Sequence, residues 1–325
     1  MTSLDFDDTG ELAIFSRTDD TIQIYNCKEG KHAKELKSQK YGVHLVRFTH
    51  HAQSILYAST KVDDAIRYLS THDNSYLRYF KGHTEPVTCI ALSPSSDDFV
   101  SCSGDGTVRF WALNSPNAKG QLNLHCPYLA AYDPSASVIA VTSPPTHSIL
   151  LYDVRQYDRP PFSTFDLKEH EQRFNSAEAG RNWSKLEFSN DGKSLLVATT
   201  GPGHFVLDAF EGGLTHFCPR KSGGRSERRA PGEVSSKKPP GQGDVCFSPD
   251  GQFLIGSTGL DNGLMVWDIQ KEPNRDKIAR TQAELPTPSA ANGRAEVVGY
   301  NPRSNLICSA DRDLMIWLPD PELAP

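Results

Sequence analysis

Apolar and polar residues follow a pattern that recurs seven times along this chain. Each copy begins with an apolar or aromatic residue, a short polar turn and an apolar run; the copies start at Phe6, Phe48, Leu92, Tyr132, Phe188, Phe247 and Tyr300. Each copy closes 17 to 21 residues later on a large side chain: Tyr25, Leu69, Trp111, Tyr152, Leu207, Trp267 or Trp317. Because Pro, Asp, Ser, Asn and Gly between apolar runs favour tight turns, each copy predicts several short antiparallel strands.

The length of the repeat predicts the architecture. A unit of 40 to 60 residues with several short strands and no helix is typical of a propeller blade, and seven such units account for the chain. Residues 107–111 and 264–267 have the composition of half-buried strands. We therefore predict an all-β, seven-bladed propeller that forms a single domain over residues 1–325.

The third copy carries the fullest motif. Gly82 and His83 precede Ser101, Asp105 and Trp111 at a spacing that resembles the WD-repeat family. The resemblance implies the structural tetrad of that family, in which the His, Ser, Asp and Trp side chains are joined by hydrogen bonds. A catalytic Ser-His-Asp set is the alternative interpretation, but the blade already accounts for the spacing.

The two ends of the chain suggest an incomplete last blade. The sequence starts within the first strand of the first copy and stops just after the third strand of the last copy. WD-repeat propellers usually close with an N-terminal segment that supplies the outer strand of the last blade, so we expect that strand to be missing. An N-terminally truncated sequence would explain this, which we favour, as would a strand donated by a partner.

Three connections are longer than the rest and are predicted to be inserted loops, at residues 168–183, 219–242 and 271–296. The second loop contains seven Lys or Arg against two Glu, with many Pro, Gly and Ser, which is typical of disorder. A nuclear-import signal or a phosphate-binding patch would use its cations: Arg225, Arg228, Arg229, Lys237 and Lys238. A solvated insertion is the alternative, and direct nucleic-acid binding is not expected because no aromatic residues interleave.

Composition and charge exclude several classes of protein. No apolar stretch approaches the roughly 20 residues that cross a bilayer, and the acidic N-terminus does not resemble a secretory signal. The net charge of −6 does not indicate a general nucleic-acid coat. Seven cysteines without a C-x-x-C pair favour buried thiols in a reducing compartment over a disulfide framework or a zinc ribbon.

Candidate metal and catalytic groups have simpler explanations. His44, His50 and His51 are not expected to share an ion, because adjacent side chains in a strand point to opposite faces. The acidic pairs at residues 19–20 and 63–64 fall where a turn enters the third strand. No phosphate loop, nucleophile elbow or Rossmann glycine run is present, so we predict no enzyme, metal or cofactor.

A closer family resemblance is carried by longer stretches of sequence. They include KYGV at 40–43, RFTH at 47–50, DDAIRYLS at 63–70, LYDVR at 151–155, LEFSNDGK at 186–193 and DAFEG at 208–212. Over nearly its whole length except the three insertions, the chain resembles the WD-repeat subunit of COMPASS-type histone lysine methyltransferase complexes. The missing N-terminal segment and the basic loop are the departures from that pattern.

This resemblance implies a non-catalytic nuclear scaffold. Members of the family join the SET-domain methyltransferase through its N-terminal region and link it to the phosphorylated C-terminal repeats of RNA polymerase II. They also belong to cleavage and polyadenylation complexes or to type-one phosphatase complexes that terminate transcription. The alternative is a substrate receptor of a cullin-type ubiquitin ligase, because Tyr152-Asp153-Val154-Arg155 approximates the WD-x-R motif of such receptors.

The matching stretch in the second copy suggests a binding surface. It places seven candidates on the third and fourth strands of blade 2 and on their connection: Arg67, His72, Asp73, Asn74, Tyr76, Arg78 and Tyr79. Arg and Tyr are enriched in binding hot spots, and Arg can hold a phosphate with two hydrogen bonds. The alternative is that the tyrosines pack between blades. We expect Arg67→Ala with Arg78→Ala to lose partners while stability is kept.

Overall fold

The computed structural model describes residues 1–174, 183–220, 245–258, 263–286, 295–311 and 313–319. Within these residues the strands form seven antiparallel sheets, six of four strands and one of three. In each sheet neighbouring strands in the chain are neighbours in the sheet, and the first strands of adjacent sheets contact one another around the centre. The predicted seven-bladed β-propeller is confirmed.

The strands are numbered in chain order. Blades 1 and 2 contain β1 (Ser3–Phe6), β2 (Leu12–Ser16), β3 (Thr21–Asn26), β4 (Lys31–Lys37), β5 (His44–Phe48), β6 (Ser54–Ala58), β7 (Ile66–Ser70) and β8 (Tyr76–Phe80). Blades 3 and 4 contain β9 (Val87–Leu92), β10 (Asp98–Ser103), β11 (Thr107–Ala112), β12 (Gly120–Asn123), β13 (Ala130–Tyr132), β14 (Val138–Ser143), β15 (Ser148–Asp153) and β16 (Ser163–Asp166). Blades 5 and 6 contain β17 (Trp183–Phe188), β18 (Ser194–Thr199), β19 (Gly203–Asp208), β20 (Leu214–Pro219), β21 (Val245–Phe247), β22 (Phe253–Ser257), β23 (Gly263–Asp268) and β24 (Arg280–Pro286). Blade 7 contains β25 (Val297–Tyr300), β26 (Ile307–Ala310) and β27 (Leu314–Trp317).

The sevenfold pattern in the sequence corresponds to the blades. Every copy starts at or next to the end of a first strand, and its polar residues form the turn into the second strand. Every closing residue lies in a third strand, namely β3, β7, β11, β15, β19, β23 or β27. The repeat was visible because each blade uses the same local turn chemistry, and the third strands of the six four-stranded blades lie between two neighbours.

Antiparallel connectivity gives the propeller two distinct faces. We call upper the face that carries the turns between second and third strands and the connections from one blade to the next. The lower face carries the other two kinds of turn. Apolar side chains fill the spaces between blades; in one such cluster Ile14 and Ile22 of blade 1 pack with Val46 and Tyr57 of blade 2.

The ring closes where blade 7 meets blade 1. The Asn301 side-chain amide donates to the Gly10 carbonyl oxygen at 2.7 Å, and Arg303 Nε donates to the Asp8 carbonyl oxygen at 3.1 Å. Apolar residues of both blades, among them Phe15 and Cys308, share one buried cluster. Side-chain and apolar contacts therefore join the first and last blades, and the described part of blade 7 holds three strands, as expected.

Two of the predicted inserted loops contain regular structure. Residues 168–183 include a seven-residue helix, α1 (Lys168–Phe174), although no helix was predicted. Residues 271–296 include β24, the fourth strand of blade 6, whose polar sequence suits an exposed outer strand. A 3₁₀ helix spans Pro144–Thr146, and in the described ranges no helix is long and apolar enough to cross a membrane.

The helix α1 is fixed by one buried carboxylate. Glu171 is fully buried; it accepts a hydrogen bond from Trp183 Nε1 at 2.5 Å and pairs with His147 Nδ1. The adjacent ring of Phe174 stacks on Phe217, with ring centroids 4.2 Å apart. Tertiary contacts therefore hold this helix, which is too short to be stable alone.

We expect Glu171→Ala to lower the free energy of unfolding by about 2–4 kcal/mol, because it leaves the buried Trp183 N–H and the His147 ring without their acceptor. Glu171→Gln keeps the shape and one acceptor oxygen, so it should cost less. Urea unfolding followed by circular dichroism measures both. Glu169→Ala, in the same helix but exposed, is the matched control and should change little. Equal midpoints for Glu171→Ala and Glu169→Ala would contradict the expectation.

A histidine joins three blades on the lower face. His50 Nδ1 lies 2.8 Å from Asp8 Oδ2 of blade 1, and His50 Nε2 lies 2.9 Å from the Ser93 carbonyl oxygen of blade 3. Both partners can only accept hydrogen bonds, so both contacts are made only by the doubly protonated ring. The hydrogen bond to Asp8 raises the pKa of His50 against the opposing effect of burial.

This raised pKa predicts a pH-dependent stability. The stabilisation by His50 should be complete below the unfolded pKa of about 6.5 and should disappear as the pH rises through the higher folded value. The destabilisation caused by His50→Gln should thus be larger at low pH than at high pH. Its size should stay below about 1 kcal/mol, because Asp8 is open to solvent. Thermal unfolding of both proteins across this range measures it. A destabilisation by His50→Gln that stays the same at every pH would contradict this expectation.

Candidate functional site

The candidate residues of blade 2 lie where the sequence predicted, but they form three separate groups. Arg67 is in β7, Tyr76, Arg78 and Tyr79 are in β8, and residues 72–74 form the turn between these strands. Tyr79 is the cross-strand partner of Arg67. Tyr68 pairs with Arg78 and Leu69 pairs with Tyr76, so the register shifts between them and leaves a bulge at Leu77, near the start of β8.

Arg67 is a buried residue whose charge is already paired. It is only 2% exposed, and its Nη2 lies 2.9 Å from both carboxylate oxygens of Asp63. Its Nε donates to Ser59 Oγ at 2.6 Å. The guanidinium is therefore held by the turn that enters β7, and its burial prevents it from binding a phosphate with two hydrogen bonds from solvent.

Three tyrosine rings surround this guanidinium. The central carbon of Arg67 lies 3.6 Å from the ring centroid of Tyr41, 5.1 Å from that of Tyr79 and 5.6 Å from that of Tyr76. We call Tyr41, Tyr76 and Tyr79 the tyrosine cluster. All three distances are within the range of cation–π attraction, so a buried cation holds the cluster together.

Further contacts within the cluster and with the buried Tyr57 hold the tyrosine cluster in place. The ring centroids of Tyr76 and Tyr41 are 5.8 Å apart, and those of Tyr76 and Tyr79 are 5.4 Å apart. The Tyr76 hydroxyl lies 3.0 Å from the hydroxyl of the buried Tyr57, which lies 2.9 Å from Ser38 Oγ. Burial raises the pKa of Tyr57. Ring contacts therefore join the three tyrosines, and a chain of hydroxyl groups anchors Tyr76.

The outer side of the tyrosine cluster is open to solvent. Tyr79 is 39% exposed and Leu77, two residues before it, is 50% exposed. Neither Tyr41 nor Leu77 was selected from the sequence. Tyr41 precedes β5 in the chain and joins the site only through folding, and Leu77 looked like an ordinary alternating strand residue.

The remaining candidates lie apart from the tyrosine cluster. Residues 72–74 are exposed on the lower face, whereas Asp63 and Arg67 lie towards the upper face. Hydrogen bonds from Ser70 and Ser75 lower the pKa of Asp73 to about 2, which marks it as a turn-capping carboxylate. Arg78 is half-buried and donates from Nη1 to the Leu113 carbonyl oxygen of blade 3. The structure therefore brings together Arg67, Tyr76 and Tyr79 and separates them from the other four candidates.

The four residues of the tetrad meet in blade 3. Trp111 Nε1 donates to Ser101 Oγ at 2.9 Å, Ser101 Oγ lies 2.7 Å from His83 Nε2, and His83 Nδ1 lies 3.0 Å from Asp105 Oδ2. One assignment of hydrogens satisfies every contact: the serine donates to Nε2, and Nδ1–H donates to the carboxylate. Ser101 is fully buried, so its hydroxyl cannot attack a substrate from solvent.

Burial and hydrogen bonding set the charges of this tetrad. Burial lowers the pKa of His83 despite the neighbouring carboxylate, so the ring is neutral. Burial alone would raise the pKa of Asp105, but hydrogen bonds from Thr107, His83 and the Thr84 N–H lower it to about 2. A Cβ at Gly82 would lie 2.2 Å from Arg109 Nη1 and 3.3 Å from the buried Trp111 ring, so a larger residue before His83 would require the Arg109 side chain to move.

Other candidates from the sequence are placed as follows. Burial lowers the pKa of His44 to about 4, and His50 is bound to Asp8. The described residues contain no group of three His, Cys, Asp or Glu side chains that could hold a metal ion. The five cations of the basic loop lie outside the described residues: Arg225, Arg228, Arg229, Lys237 and Lys238. The acidic pairs at residues 19–20 and 63–64 lie in the turns that enter β3 and β7.

Comparisons with known proteins agree with this architecture. The family model for the WD domain, G-beta repeat, matches residues 74–112 and 241–268, and the first match includes all four residues of the tetrad and all of β8. The chain is 36% identical to the Set1 complex component swd2 of Schizosaccharomyces pombe, over 98% of this chain and 92% of that protein.

Two further relatives are similar over a comparable length. WD repeat-containing protein 82 of Drosophila melanogaster is 37% identical over 99% of this chain and 91% of its own length. The COMPASS component SWD2 of Saccharomyces cerevisiae is 32% identical over 98% of this chain and 91% of its own length. Since these identities extend over almost the entire propeller, the chain belongs to the family of WD-repeat proteins that includes swd2, SWD2 and WD repeat-containing protein 82.

Proposed function

We propose that this chain is a non-catalytic scaffold subunit of a COMPASS-type histone lysine methyltransferase complex in the nucleus. The observation that carries the proposal is the similarity, over 98% of the chain, to relatives named as components of the Set1 and COMPASS complexes. The geometry agrees with a scaffold: the Ser-His-Asp arrangement of blade 3 is part of a buried structural tetrad, whereas the exposed Leu77 and Tyr79 of blade 2 suit protein contacts.

We extend the proposal to the partners that the family resemblance implies. The chain would join the N-terminal region of the SET-domain methyltransferase and link it to the phosphorylated C-terminal repeats of RNA polymerase II. A second pool would belong to cleavage and polyadenylation or type-one phosphatase complexes that terminate transcription. Within blade 2 we assign partner contact to Tyr76, Tyr79 and the exposed turn 72–74, because Arg67 is buried.

Affinity purification of the tagged chain from nuclear extract, followed by mass spectrometry, tests this function. We expect a SET-domain methyltransferase among the captured proteins, together with subunits of a termination complex. Capture of a cullin adaptor without a methyltransferase would instead favour the ubiquitin-ligase alternative, for which Arg155 is exposed on the lower face. Capture of a methyltransferase without termination subunits would confine the function to histone methylation.

A further inference from the structure

We propose that the rim of blade 2 beside blade 1 binds an extended, acidic segment of a partner protein, which seats an apolar side chain against Leu77 and Tyr79. This inference rests on the scaffold function proposed above and adds the chemistry of the partner. The surface consists of the tyrosine cluster, Leu77 and the lysines that flank them.

The first observation is an exposed apolar pair on an outermost strand. Leu77 is 50% exposed and Tyr79 is 39% exposed, and both lie in β8. The outer strands of blades 1, 3, 4, 5 and 6, all within the described residues, carry no large exposed apolar side chain. An outer strand normally faces water, so such a pair on one blade alone indicates a contact surface.

The second observation is that this surface is rigid before any partner arrives. Tyr79 and Tyr76 are held by the buried Arg67 guanidinium, and the Tyr76 hydroxyl is tied to Tyr57. Asp63 holds the guanidinium in turn, with two contacts of 2.9 Å. Aromatic side chains that are already ordered lose little conformational entropy on binding, which favours their use as anchors.

The third observation excludes a cationic ligand. Three tyrosine rings around a positive charge are the arrangement by which proteins recognise methylated ammonium groups. Here Arg67 occupies the space between the rings, with its central carbon 3.6 Å from the Tyr41 centroid. A cation from a partner would have to displace a buried, paired arginine, so the rings act as walls and not as an open cage.

The fourth observation is the charge around the surface. Residues 28–40 contain five lysines and two glutamates in a chain whose net charge is −6. Lys34 Nζ contacts only carbonyl oxygens in the described structure, those of Thr71 at 2.5 Å and His72 at 2.9 Å. Lys40 lies over the Tyr41 ring, 5.1 Å from its centroid. Lys40 therefore flanks the tyrosine cluster and Lys34 lies at the adjacent turn that contains His72, and both complement carboxylates on a partner.

The fifth observation concerns the shape of the partner. In the described part of the sheet β8 pairs with β7 alone, so its outer main-chain edge is open. An extended segment can add to such an edge by main-chain hydrogen bonds while one of its side chains reaches the apolar pair. The bound segment is therefore expected to be a strand-like peptide.

The test uses a phage-displayed library of random peptides of roughly 12 residues, a length that covers a strand and its flanks. The library is panned on the wild-type chain and counter-selected on the Leu77→Ser/Tyr79→Ser variant. Peptides that only the wild type retains should be rich in Asp and Glu and carry an aromatic or aliphatic residue. For a synthetic peptide of that set, affinity should fall about tenfold in the variant and should weaken with added salt.

The control variant is Phe162→Ser, which removes a 60% exposed aromatic side chain from blade 4. It should bind the selected peptide like the wild type. Two results would overturn the proposed surface. One is enrichment of basic peptides; the other is failure to enrich any peptide that binds the wild type better than the Leu77→Ser/Tyr79→Ser variant. Capture of the methyltransferase by the wild-type chain decides the scaffold function separately, so either proposal can fail while the other stands.

Discussion

Trp111→Ala should lower the free energy of unfolding by about 3–5 kcal/mol, the largest loss that we expect from a single substitution in blade 3. Trp111 is fully buried, with its ring stacked on Phe99 at 6.1 Å and edge-on to Phe80 at 5.6 Å. Alanine leaves a cavity between two blades and removes the N–H that donates to Ser101. Urea unfolding followed by far-ultraviolet circular dichroism measures the loss.

Trp111→Phe separates packing from hydrogen bonding in the same experiment. Phenylalanine fills most of the space but leaves Ser101 Oγ without its donor, so it should cost less than alanine. Combined with Ser101→Ala, it should give a coupling energy of about 0.5–1.5 kcal/mol, because the two side chains share one hydrogen bond. Additive losses for the pair would contradict a tetrad that acts as a unit.

Local repetition made most of the fold predictable. The turn after Phe247 and the third strand that contains Trp267 were identified because every blade repeats the same turn residues and the same alternation. The tetrad was implied by the resemblance of His83, Ser101, Asp105 and Trp111 to the WD-repeat motif. Such signals are carried by residues close in sequence, which is why no tertiary information was needed.

Features that depend on distant contacts were not predictable. The helix α1 exists because Glu171 meets His147 and Trp183, and nothing in its own sequence indicates those partners. The strand β24 is polar because it is an outer strand, so it resembled a loop. In blade 2, the sequence around Arg67 indicates a surface cation, because the rings of Tyr41 and Tyr79 meet it only in the folded chain.

The burial of Arg67 changes an expectation drawn from the sequence. Arg67→Ala with Arg78→Ala was expected to lose partners at unchanged stability, but Arg67 is 2% exposed and is paired with Asp63 and Ser59. The two arginines should therefore behave differently. Arg78 is half-buried, with one hydrogen bond to a main-chain carbonyl oxygen, so Arg78→Ala alone should cost about 1 kcal/mol or less.

Arg67→Ala should lower the free energy of unfolding by about 2–4 kcal/mol, since it empties the space between three tyrosine rings and leaves Ser59 and Asp63 without their donor. Asp63 is about a third exposed, so water will replace part of its lost partner and keep the cost below that of a fully buried pair. Urea unfolding of the single variants Arg67→Ala and Arg78→Ala, measured side by side, tests the difference.

Arg67→Lys shows which property of the arginine matters. Lysine keeps the positive charge near the tyrosine rings but cannot contact Asp63 and Ser59 together in the planar arrangement of a guanidinium. Its stability should lie between those of wild type and Arg67→Ala, and the tyrosine cluster should loosen in both variants. If Arg67→Ala instead unfolds at the wild-type urea concentration, the buried arginine does not organise this rim, and the rigid surface inferred for blade 2 loses its physical basis.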